Sequence, residues 1–332
     1  MAYFNPEPNY QHGDQAKVGI LLANLGTPNA PTAKALKRYL GQFLMDRRIV
    51  EIPRFIWCWI LHCIILVFRP KKSAEKYASI WTAEGSPLMV NALKQKQLLT
   101  EVLAKKIASP FVVELGMSYG NPSLKSAVDD LMAQGVNKLI VLPLYPQFST
   151  TTTGSSFKAW KETSSFTVPS SEIESYPTDP GFIAASVELV RQGLAEAGAG
   201  KTRVLFSAHG LPEKIVKGGD PYQRHVEQTA KAIVDAIGNL DSTVCYQSRV
   251  GPLKWIGPPT EQEIERAGRD GANVVLYPLS FVSEHSETLV ELDMDYRQLA
   301  SEAGVAKYVR VPTVGTHPRF IDGLARLVRN AL

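Results

Sequence analysis

Short apolar runs recur along the chain, and each is followed by a polar turn and then by the spacing of an amphipathic helix. Six runs have this form: Lys17–Leu25, Val112–Met117, Lys138–Leu144, Arg203–Ser207, Thr243–Tyr246 and Val274–Leu279. Nearly continuous valine, isoleucine and leucine predicts strands that are buried on both faces. Because helical patterns lie between these strands, the sequence predicts an α/β fold made of parallel sheets flanked by helices.

Two stretches, one in each half of the chain, resemble each other. Asn121–Leu144 and Pro259–Leu279 each contain a helix led by proline, a glycine turn and a strand that ends in Pro-Leu. Such a repeat predicts two similar halves. The turn-rich segment Tyr176–Gly181 is the expected boundary between them.

These patterns divide the chain into four parts. A polar tail covers 1–16, a first lobe 17–177, a second lobe 178–317 and a final helix 318–332. The final helix carries its apolar side chains on one face, so we expect it to pack on a lobe, and the pattern allows either one.

The charge balance and the cysteines exclude several classes of protein. The 332 residues include 36 Lys and Arg against 32 Asp and Glu, and this net charge of +4 is spread along the chain, which argues against a nucleic-acid partner. Cys58, Cys63 and Cys245 form no CxxC pair, which indicates a reducing compartment and no structural zinc. The N-terminus lacks the apolar run of a secretory signal, so a cytoplasmic location is expected.

The longest apolar stretch, Phe55–Phe68, has 14 residues and is too short to cross a bilayer, which needs ~20. Two interpretations stay open. The stretch is a buried helix, or it lies on a membrane surface, where tryptophans such as Trp57 and Trp59 are favoured. Basic residues flank it on both sides: Arg54, Arg69, Lys71 and Lys72.

The turns after the strands are where chemistry is expected, because ligands of open parallel sheets bind at the carboxyl ends of the strands. Gly26 follows the first strand without a GxGxxG motif, which argues against a dinucleotide cofactor. The Ser- and Thr-rich run Ser149–Ser156 predicts either a polar loop or an anion site at the start of a helix.

Two turns of the second half carry groups that can handle a metal or a proton. His209 follows a buried strand, and its ring is expected to face the cleft. If Ser283 caps a helix, Glu287, Glu291 and Asp295 recur every four residues and form a stripe of carboxylates. Each feature alone also fits a packed histidine or a solvated helix face. Together they suit a divalent ion such as Fe²⁺ that is held weakly and passed on.

Several motifs of the chain resemble those of ferrochelatases. They are Leu205–Pro212 (LFSAHGLP), Gly219–Tyr222 (GDPY), Gln247–Pro252 (QSRVGP), Ser283–Leu289 (SEHSETL) and Glu291–Asp293 (ELD), with shorter matches at Asn24–Gly26, Tyr145–Gln147 and Thr153–Ser155. The resemblance spans Val18 to Asp322. It implies a bacterial-type ferrochelatase with a chelatase-like fold, in which two Rossmann-like lobes hold the porphyrin in the cleft between them.

The resemblance also implies the reaction and its residues. Fe²⁺ enters protoporphyrin IX, two protons are released, and the product is haem b, so the reaction is the terminal step of haem b synthesis. His209 and Glu287 are implied as the catalytic pair and as the metal ligands. His209 is suited to take the pyrrole protons and Glu287 to hold the metal or relay a proton, and either can bind iron first. Glu291 and Asp295 continue the row outward as a metal path.

Five further residues stand at positions that resemble porphyrin contacts: Tyr77, Ser86, Ser118, Tyr119 and His285. Ser118 replaces an arginine of many eukaryotic members, so the charge that pairs with a propionate must come from elsewhere. The chain ends at Leu332 without the cysteine-bearing extension of some members, and Thr150 stands where those members have a ligand cysteine. We therefore expect no iron–sulfur cluster and no permanently bound cofactor, with Fe²⁺ as a substrate.

The apolar stretch Phe55–Phe68 is expected to form the lip of the porphyrin cleft and to touch the inner face of the cytoplasmic membrane. One alternative function is a chelatase for another tetrapyrrole, such as coproporphyrin III, or for another divalent metal. Another is a two-lobed protein that binds a tetrapyrrole without chemistry. The pairing of His209 with Glu287 argues against the last, because passive binding needs no base.

Overall fold

The predicted strands form, and they assemble into parallel sheets. A computed structural model describes residues 17–50, 52–163, 168–249 and 251–332, and the predicted polar tail 1–16 lies outside these ranges. The strands are β1 (Val18–Thr27), β2 (Phe111–Gly120), β3 (Lys138–Pro143), β4 (Ser170–Glu172), β5 (Thr202–His209), β6 (Ser242–Gln247), β7 (Asn273–Pro278) and β8 (Tyr308–Arg310). Within the described residues they make one sheet of order β2-β1-β3-β4 and another of order β6-β5-β7-β8.

Helices fill the connections between the strands. The α-helices are α1 (Ala33–Leu44), α2 (Arg54–Ile60), α3 (Leu66–Ile80), α4 (Pro87–Ala104), α5 (Leu124–Ala133), α6 (Thr153–Thr163), α7 (Pro180–Ala197), α8 (Glu213–Lys217), α9 (Tyr222–Ile237), α10 (Thr260–Arg269), α11 (Tyr296–Glu302) and α12 (Pro318–Asn330). Two more segments of the described chain, π1 (Leu61–Ile65) and π2 (Glu287–Asp295), are π-helices, in which backbone hydrogen bonds join residues five apart.

The sheets share one topology. β1 lies between β2 and β3, and β5 lies between β6 and β7, with all neighbours parallel. The repeat seen in the sequence corresponds to α5 with β3 and to α10 with β7, which occupy the same place in each sheet. The predicted α/β fold of two similar halves is therefore confirmed. The edge strands β4 and β8 are absent from the sequence prediction because three residues make no readable apolar pattern.

An apolar core runs through both halves. Ile20 of β1, Leu99 of α4, Phe206 of β5 and Val275 of β7 belong to a single buried cluster. The final helix α12 packs against α4 as well as α7, and Phe320 on its apolar face belongs to the same cluster. The two sheets are thereby joined by continuous apolar packing, and α12 contacts an element on each side.

The apolar stretch 55–68 is built from α2, π1 and the start of α3, and it has a buried and an exposed face. Phe55 exposes 81% of its surface, Trp59 65% and Phe68 71%. Trp57 is buried instead, and its indole Nε1 donates to the carbonyl of Leu44 at 2.7 Å. Of the two tryptophans that suit a membrane surface, Trp59 is exposed and Trp57 is not, because the Trp57 ring packs into a buried apolar cluster with Leu61 and Tyr119. Among the described helices, none is both long and apolar enough to cross a bilayer.

Candidate active site

Two adjacent strand ends of the second sheet meet at the predicted catalytic pair. His209 is the last residue of β5, and Glu287 begins π2 in the connection that follows β7. The His209 Nδ1 and Glu287 Oε2 atoms are 2.8 Å apart, and the side chains expose 40% and 28% of their surface. The structure thus brings together two residues that lie 78 positions apart in the chain, and it leaves them open to a ligand.

The backbone after His209 is held close to β6. Gly210 N donates to the carbonyl of Gln247 at 2.9 Å. A Cβ at Gly210 would lie 3.0 Å from that carbonyl oxygen and 3.2 Å from the Trp255 ring, so only glycine fits without a shift of its neighbours. This close approach fixes the direction in which His209 leaves its strand.

The acidic segment differs from the predicted α-helix. The helix begins at Ser286 and continues as π2, and Ser283 does not cap it, because the Ser283 hydroxyl lies 3.4 Å from Gln95 Oε1 instead. The prediction of an α-helical stripe with residues four apart is therefore wrong in its geometry. Glu287 and Glu291 still approach each other, because both contact Ser248.

Ser248, which the sequence did not single out, holds both inner carboxylates. Its N–H donates to Glu291 Oε1 at 2.9 Å and its hydroxyl to Glu291 Oε2 at 2.5 Å, and the hydroxyl lies 3.4 Å from Glu287 Oε2. Among the described residues other than glycine, Ser248 alone has a positive φ, of 60°. Such a conformation costs about 1–3 kcal/mol and persists where surrounding contacts enforce it. Ser248 is therefore a positioning residue, and its motif QSRVGP was the signal for it.

His285 lies on the other side of Glu287. Its Nε2 is 3.9 Å from Glu287 Oε1, and its Nδ1 faces the carbonyl of Ser283 at 3.1 Å. A carbonyl beside Nδ1 assigns the hydrogen to Nδ1 and the lone pair of the neutral ring to Nε2. The same argument applies to His209, whose Nδ1 faces a carboxylate. Neutral His209 therefore presents Nε2 as its basic atom.

The charges of the site reinforce this arrangement. Burial acts to lower the pKa of His209, but the carboxylates of Glu287 and Glu291 outweigh it, and the pKa is raised. Burial acts to raise the pKa of Glu287, but His209, His285 and the Ser248 hydroxyl bring it well below its usual range. The pKa of Glu291 is raised, by burial and by the charge of Glu287. The raised pKa of His209 and the lowered pKa of Glu287 share one cause, since each side chain stabilises the charged form of the other.

Asp295 stands at the outer end of the acidic segment. Its side chain is 52% exposed and pairs with Lys76 Nζ of α3 at 3.2 Å. The three predicted path residues thus run from the partly buried Glu287 through Glu291 to a carboxylate at the surface. Among the described residues, no group of three or more histidine, cysteine, aspartate or glutamate side chains is arranged to hold a metal ion.

The predicted porphyrin contacts in the first half lie in α3, just before α4 and near the end of β2. The Ser86 hydroxyl is 2.7 Å from that of Thr27, and the Ser118 hydroxyl is 2.8 Å from that of Ser156. Tyr77 is half-buried. Burial raises the pKa of Tyr77, and its hydroxyl lies close to Ser286.

Tyr119 differs from the other predicted contacts. Its ring is buried against Phe43 with the centroids 5.1 Å apart, and its hydroxyl donates to Asp46 at 2.7 Å. Tyr119 belongs to the apolar cluster beneath the stretch 55–68. Tyr119 therefore supports the stretch 55–68 from below, and its hydroxyl is hydrogen-bonded to Asp46.

The motifs of the site also match a known family. A sequence model of that family, described as Ferrochelatase, matches residues 17–332. The ferrochelatase of Caulobacter vibrioides (strain NA1000 / CB15N) is 44% identical over 321 residues, which cover 95% of this chain and 90% of the relative. The chain belongs to the ferrochelatase family. The ferrochelatases of Nitrosomonas europaea and Alcanivorax borkumensis are 38% and 39% identical, over 98% and 100% of this chain and 91% and 98% of theirs.

Membership in the ferrochelatase family makes the protein a lyase of haem biosynthesis that inserts iron into a porphyrin. The bacterial relatives confirm the resemblance seen in the motifs. SirB from Bacillus subtilis with Fe³⁺ has a TM-score of 0.52 and 14% identity, over 95% of both chains. The sirohydrochlorin chelatase SirB of Bacillus subtilis subspecies spizizenii in complex with cobalt has a TM-score of 0.53 and 12% identity, also over 95% of both. These structures show the fold alone, and it is the predicted chelatase-like fold.

Thr150 stands where some ferrochelatases carry a cysteine ligand of an iron–sulfur cluster, and in this chain it forms hydrogen bonds. Thr150 donates from its N–H and from its hydroxyl to Asp220 Oδ2, both at 2.7 Å, and the Ser149 hydroxyl donates to the same atom at 3.0 Å. Phe148 N donates to His225 Nδ1 at 3.2 Å. The run 148–150 thus docks by hydrogen bonds on the start of α9. The sequence predicts either a polar loop or an anion site for the run Ser149–Ser156. Its first residues form a polar loop.

Proposed function

We propose that the protein inserts Fe²⁺ into protoporphyrin IX, with His209 as the base and Glu287 as the group that receives the metal or relays the proton. The observation that carries this proposal is the 2.8 Å contact between His209 Nδ1 and Glu287 Oε2 at the open carboxyl end of a parallel sheet. It leaves Nε2 of neutral His209 available to a substrate. The raised pKa makes that nitrogen a stronger base than an ordinary histidine.

The reaction needs such a base. The porphyrin loses two N–H protons, its nitrogens bind Fe²⁺, and no electron is transferred, so the two protons must pass to the protein and then to water. His209 can take them one at a time, because Glu287 stabilises the imidazolium that forms in each transfer. Ser86, Ser118, Tyr77 and His285 are proposed to contact the macrocycle.

We propose that cations near Tyr119 supply the charge that Ser118 lacks. A cleft of about 700 Å³ is lined by Asp46, Arg47, Arg48, Lys158 and Lys214, among other residues of both halves. Asp46 lines this cleft and also accepts the hydrogen bond of the Tyr119 hydroxyl. The cleft therefore lies next to Tyr119. The basic side chains suit the carboxylates of a porphyrin.

The proposed function is tested by anaerobic incubation of the protein with Fe²⁺ and protoporphyrin IX while the absorption spectrum is followed. The bands of haem are expected to appear at a rate proportional to the enzyme concentration. A parallel reaction with coproporphyrin III that runs more than tenfold faster would assign the protein to that tetrapyrrole. Binding of either porphyrin without metal insertion would make it a carrier. We propose no resident cofactor, since Thr150 offers Asp220 a hydroxyl where a cluster would need a thiolate.

Glu287, Glu291 and Asp295 are proposed to lead the iron inward. Replacing Glu291 by Gln or Asp295 by Asn is expected to raise the apparent KM for Fe²⁺ about fivefold each, because one charge at ~4 Å in water is worth about 1 kcal/mol. The porphyrin affinity and kcat are expected to stay within twofold for Asp295→Asn. Initial rates over a series of Fe²⁺ concentrations measure this. Glu302→Gln, an exposed carboxylate of α11, is the control. An unchanged iron dependence in both variants would make the outer carboxylates a solvated surface.

The exposed face of 55–68 is proposed to touch a membrane, which would place the protein at the periphery of the inner face of the cytoplasmic membrane. Phe55, Trp59 and Phe68 are more than half exposed, and the nearby cations Lys71 and Lys72 are exposed too. Aromatic rings beside cations suit the interface of an anionic bilayer.

Vesicles of phosphatidylcholine and phosphatidylglycerol are expected to carry the protein to the top of a density gradient. The double change Trp59→Ser and Phe68→Ser should weaken this partitioning about 100-fold or more, because each buried aromatic contributes about 1.5–3 kcal/mol. Leu93→Ser, which removes an exposed apolar residue of α4, is the matched control. A double variant that floats as well as the unchanged protein would leave this face without a role at the membrane.

A further inference from the structure

A buried glutamine of the first half reaches into the second. Gln95 of α4 has no exposed surface, and its amide Nε2 donates to the carbonyls of Val282 at 3.0 Å and Gly315 at 2.8 Å. The Ser283 hydroxyl lies 3.4 Å from its Oε1. An amide is costly to bury unless its hydrogen bonds are made, and here all these partners belong to the other half.

The loops that Gln95 holds form one unit. Val282 and Ser283 lie between β7 and π2, and Gly315 lies between β8 and α12. Gly315 N donates to the carbonyl of Val282 at 3.1 Å. One loop therefore supports the other, and the first of them leads directly into the active site, because Ser283 precedes Glu287 by four residues.

A second set of bonds ties the same loops together. Glu284 Oε1 accepts from Arg310 Nη1 at 2.6 Å and from Thr313 N at 2.9 Å. Its other oxygen accepts from the Thr288 hydroxyl at 2.5 Å, one residue beyond Glu287. A displacement of the loops at Gln95 would therefore be transmitted to Glu287.

The other end of α4 lies at the first sheet. The helix starts immediately after Ser86, whose hydroxyl is 2.7 Å from that of Thr27 at the end of β1. Gln95 follows Ser86 by nine positions, which is a rise of about 13.5 Å along a straight helix at 1.5 Å per residue. One helix thus connects a proposed porphyrin contact to the loop that carries Glu287.

We propose that Gln95 is a positioning residue for metal insertion, which fixes Glu287 relative to the half of the protein that contacts the porphyrin. The proposal rests on the role proposed above for Glu287. Catalytic groups lose effectiveness steeply with displacement, and a shift of about 1 Å can reduce a rate about 100-fold. Gln95 touches neither substrate, so its effect is exerted through the loop.

Gln95→Met keeps the length of the side chain and removes its hydrogen bonds, and Gln95→Glu puts a carboxyl group, with no amide N–H, against two carbonyl oxygens. Both are expected to lower kcat for insertion of Zn²⁺ or Fe²⁺ into protoporphyrin IX about 10- to 100-fold, by displacement of Glu287. The dissociation constant of protoporphyrin IX, measured by fluorescence, should change less than about twofold. Gln97→Met, at an exposed glutamine of the same helix, should leave both unchanged. All rates are measured well below the thermal midpoint of each variant.

A double-variant cycle separates positioning from general damage. If Gln95 acts through Glu287, Gln95→Met should cause little further loss in a Glu287→Gln background, because the two effects share one cause. The same fold-loss in both backgrounds would overturn the proposal, as would a normal kcat in Gln95→Met when Glu287→Gln is impaired. A normal kcat in Glu287→Gln itself would instead refute the proposed function. Gln95→Asn, which keeps the amide, replaces Gln95→Met in this cycle if the latter does not fold.

Discussion

Replacing His209 by alanine is expected to reduce iron insertion about 10²- to 10⁴-fold while the porphyrin still binds, because a positioned base typically contributes that much to a rate. The change removes Nε2, the basic atom that remains when Nδ1 faces Glu287. Haem formation under anaerobic conditions measures the loss, and quenching of porphyrin fluorescence measures binding in the same preparation.

Two control experiments test whether His209 acts as the base. His317→Ala removes the histidine at the start of α12, outside the proposed site, and should leave the rate unchanged. Free imidazole should restore part of the activity of His209→Ala, since the substitution leaves room for a small base beside Glu287. An alanine variant within a few-fold of the unchanged protein would reject His209 as the base.

Replacing Glu287 by glutamine is expected to lower kcat and to move the acid limb of the pH profile to lower pH. The carboxylate of Glu287 is a principal cause of the raised pKa of His209, whereas burial acts to lower that pKa. A neutral amide of equal size removes the charge that raises the pKa of His209 and leaves the burial that lowers it. His209 then loses its proton at a lower pH, so kcat/KM begins to rise earlier although its maximum is smaller. The profile of kcat/KM from pH 5 to 9 records both changes.

Glu291→Gln provides a graded control for this shift. Glu291 also acts to raise the pKa of His209, but less than Glu287, so a smaller displacement in the same direction is expected. An acid limb that stays in place in Glu287→Gln, or that moves to higher pH, would contradict the ion pair as the cause of the raised pKa.

The fold can be predicted from the sequence because the patterns that indicate its strands and helices are local. β1, β3 and β7 are short runs of apolar residues bounded by polar turns, and their parallel arrangement follows from the helices between them. The contact of His209 with Glu287 could be anticipated for a similar reason, since both residues follow strands of one sheet.

Other features depend on contacts between distant residues, which leave no local pattern. The hydrogen bond of Gln95 to Val282 spans 187 positions, and Gln95 itself stands in an ordinary helical sequence. The positive φ of Ser248 is set by its two carboxylate partners, and serine carries no signal for it. Trp57 is buried with its indole N–H bonded to the carbonyl of Leu44, and Trp59 is exposed. Their hydrophobicity is the same, so it does not predict which of the two is buried.

The position of α12 has a consequence for how the chain reaches its native state. The ribosome makes this helix after every strand of both sheets, yet α12 fills the space between α4 and α7 with Phe320, Leu324 and Val328. Until it arrives, the apolar faces of both helices stay open to water. The residues of both sheets are thus made before α12, and the core is complete only after α12 has docked. We therefore expect aggregation to compete with folding mainly in that interval, when apolar surface is still exposed.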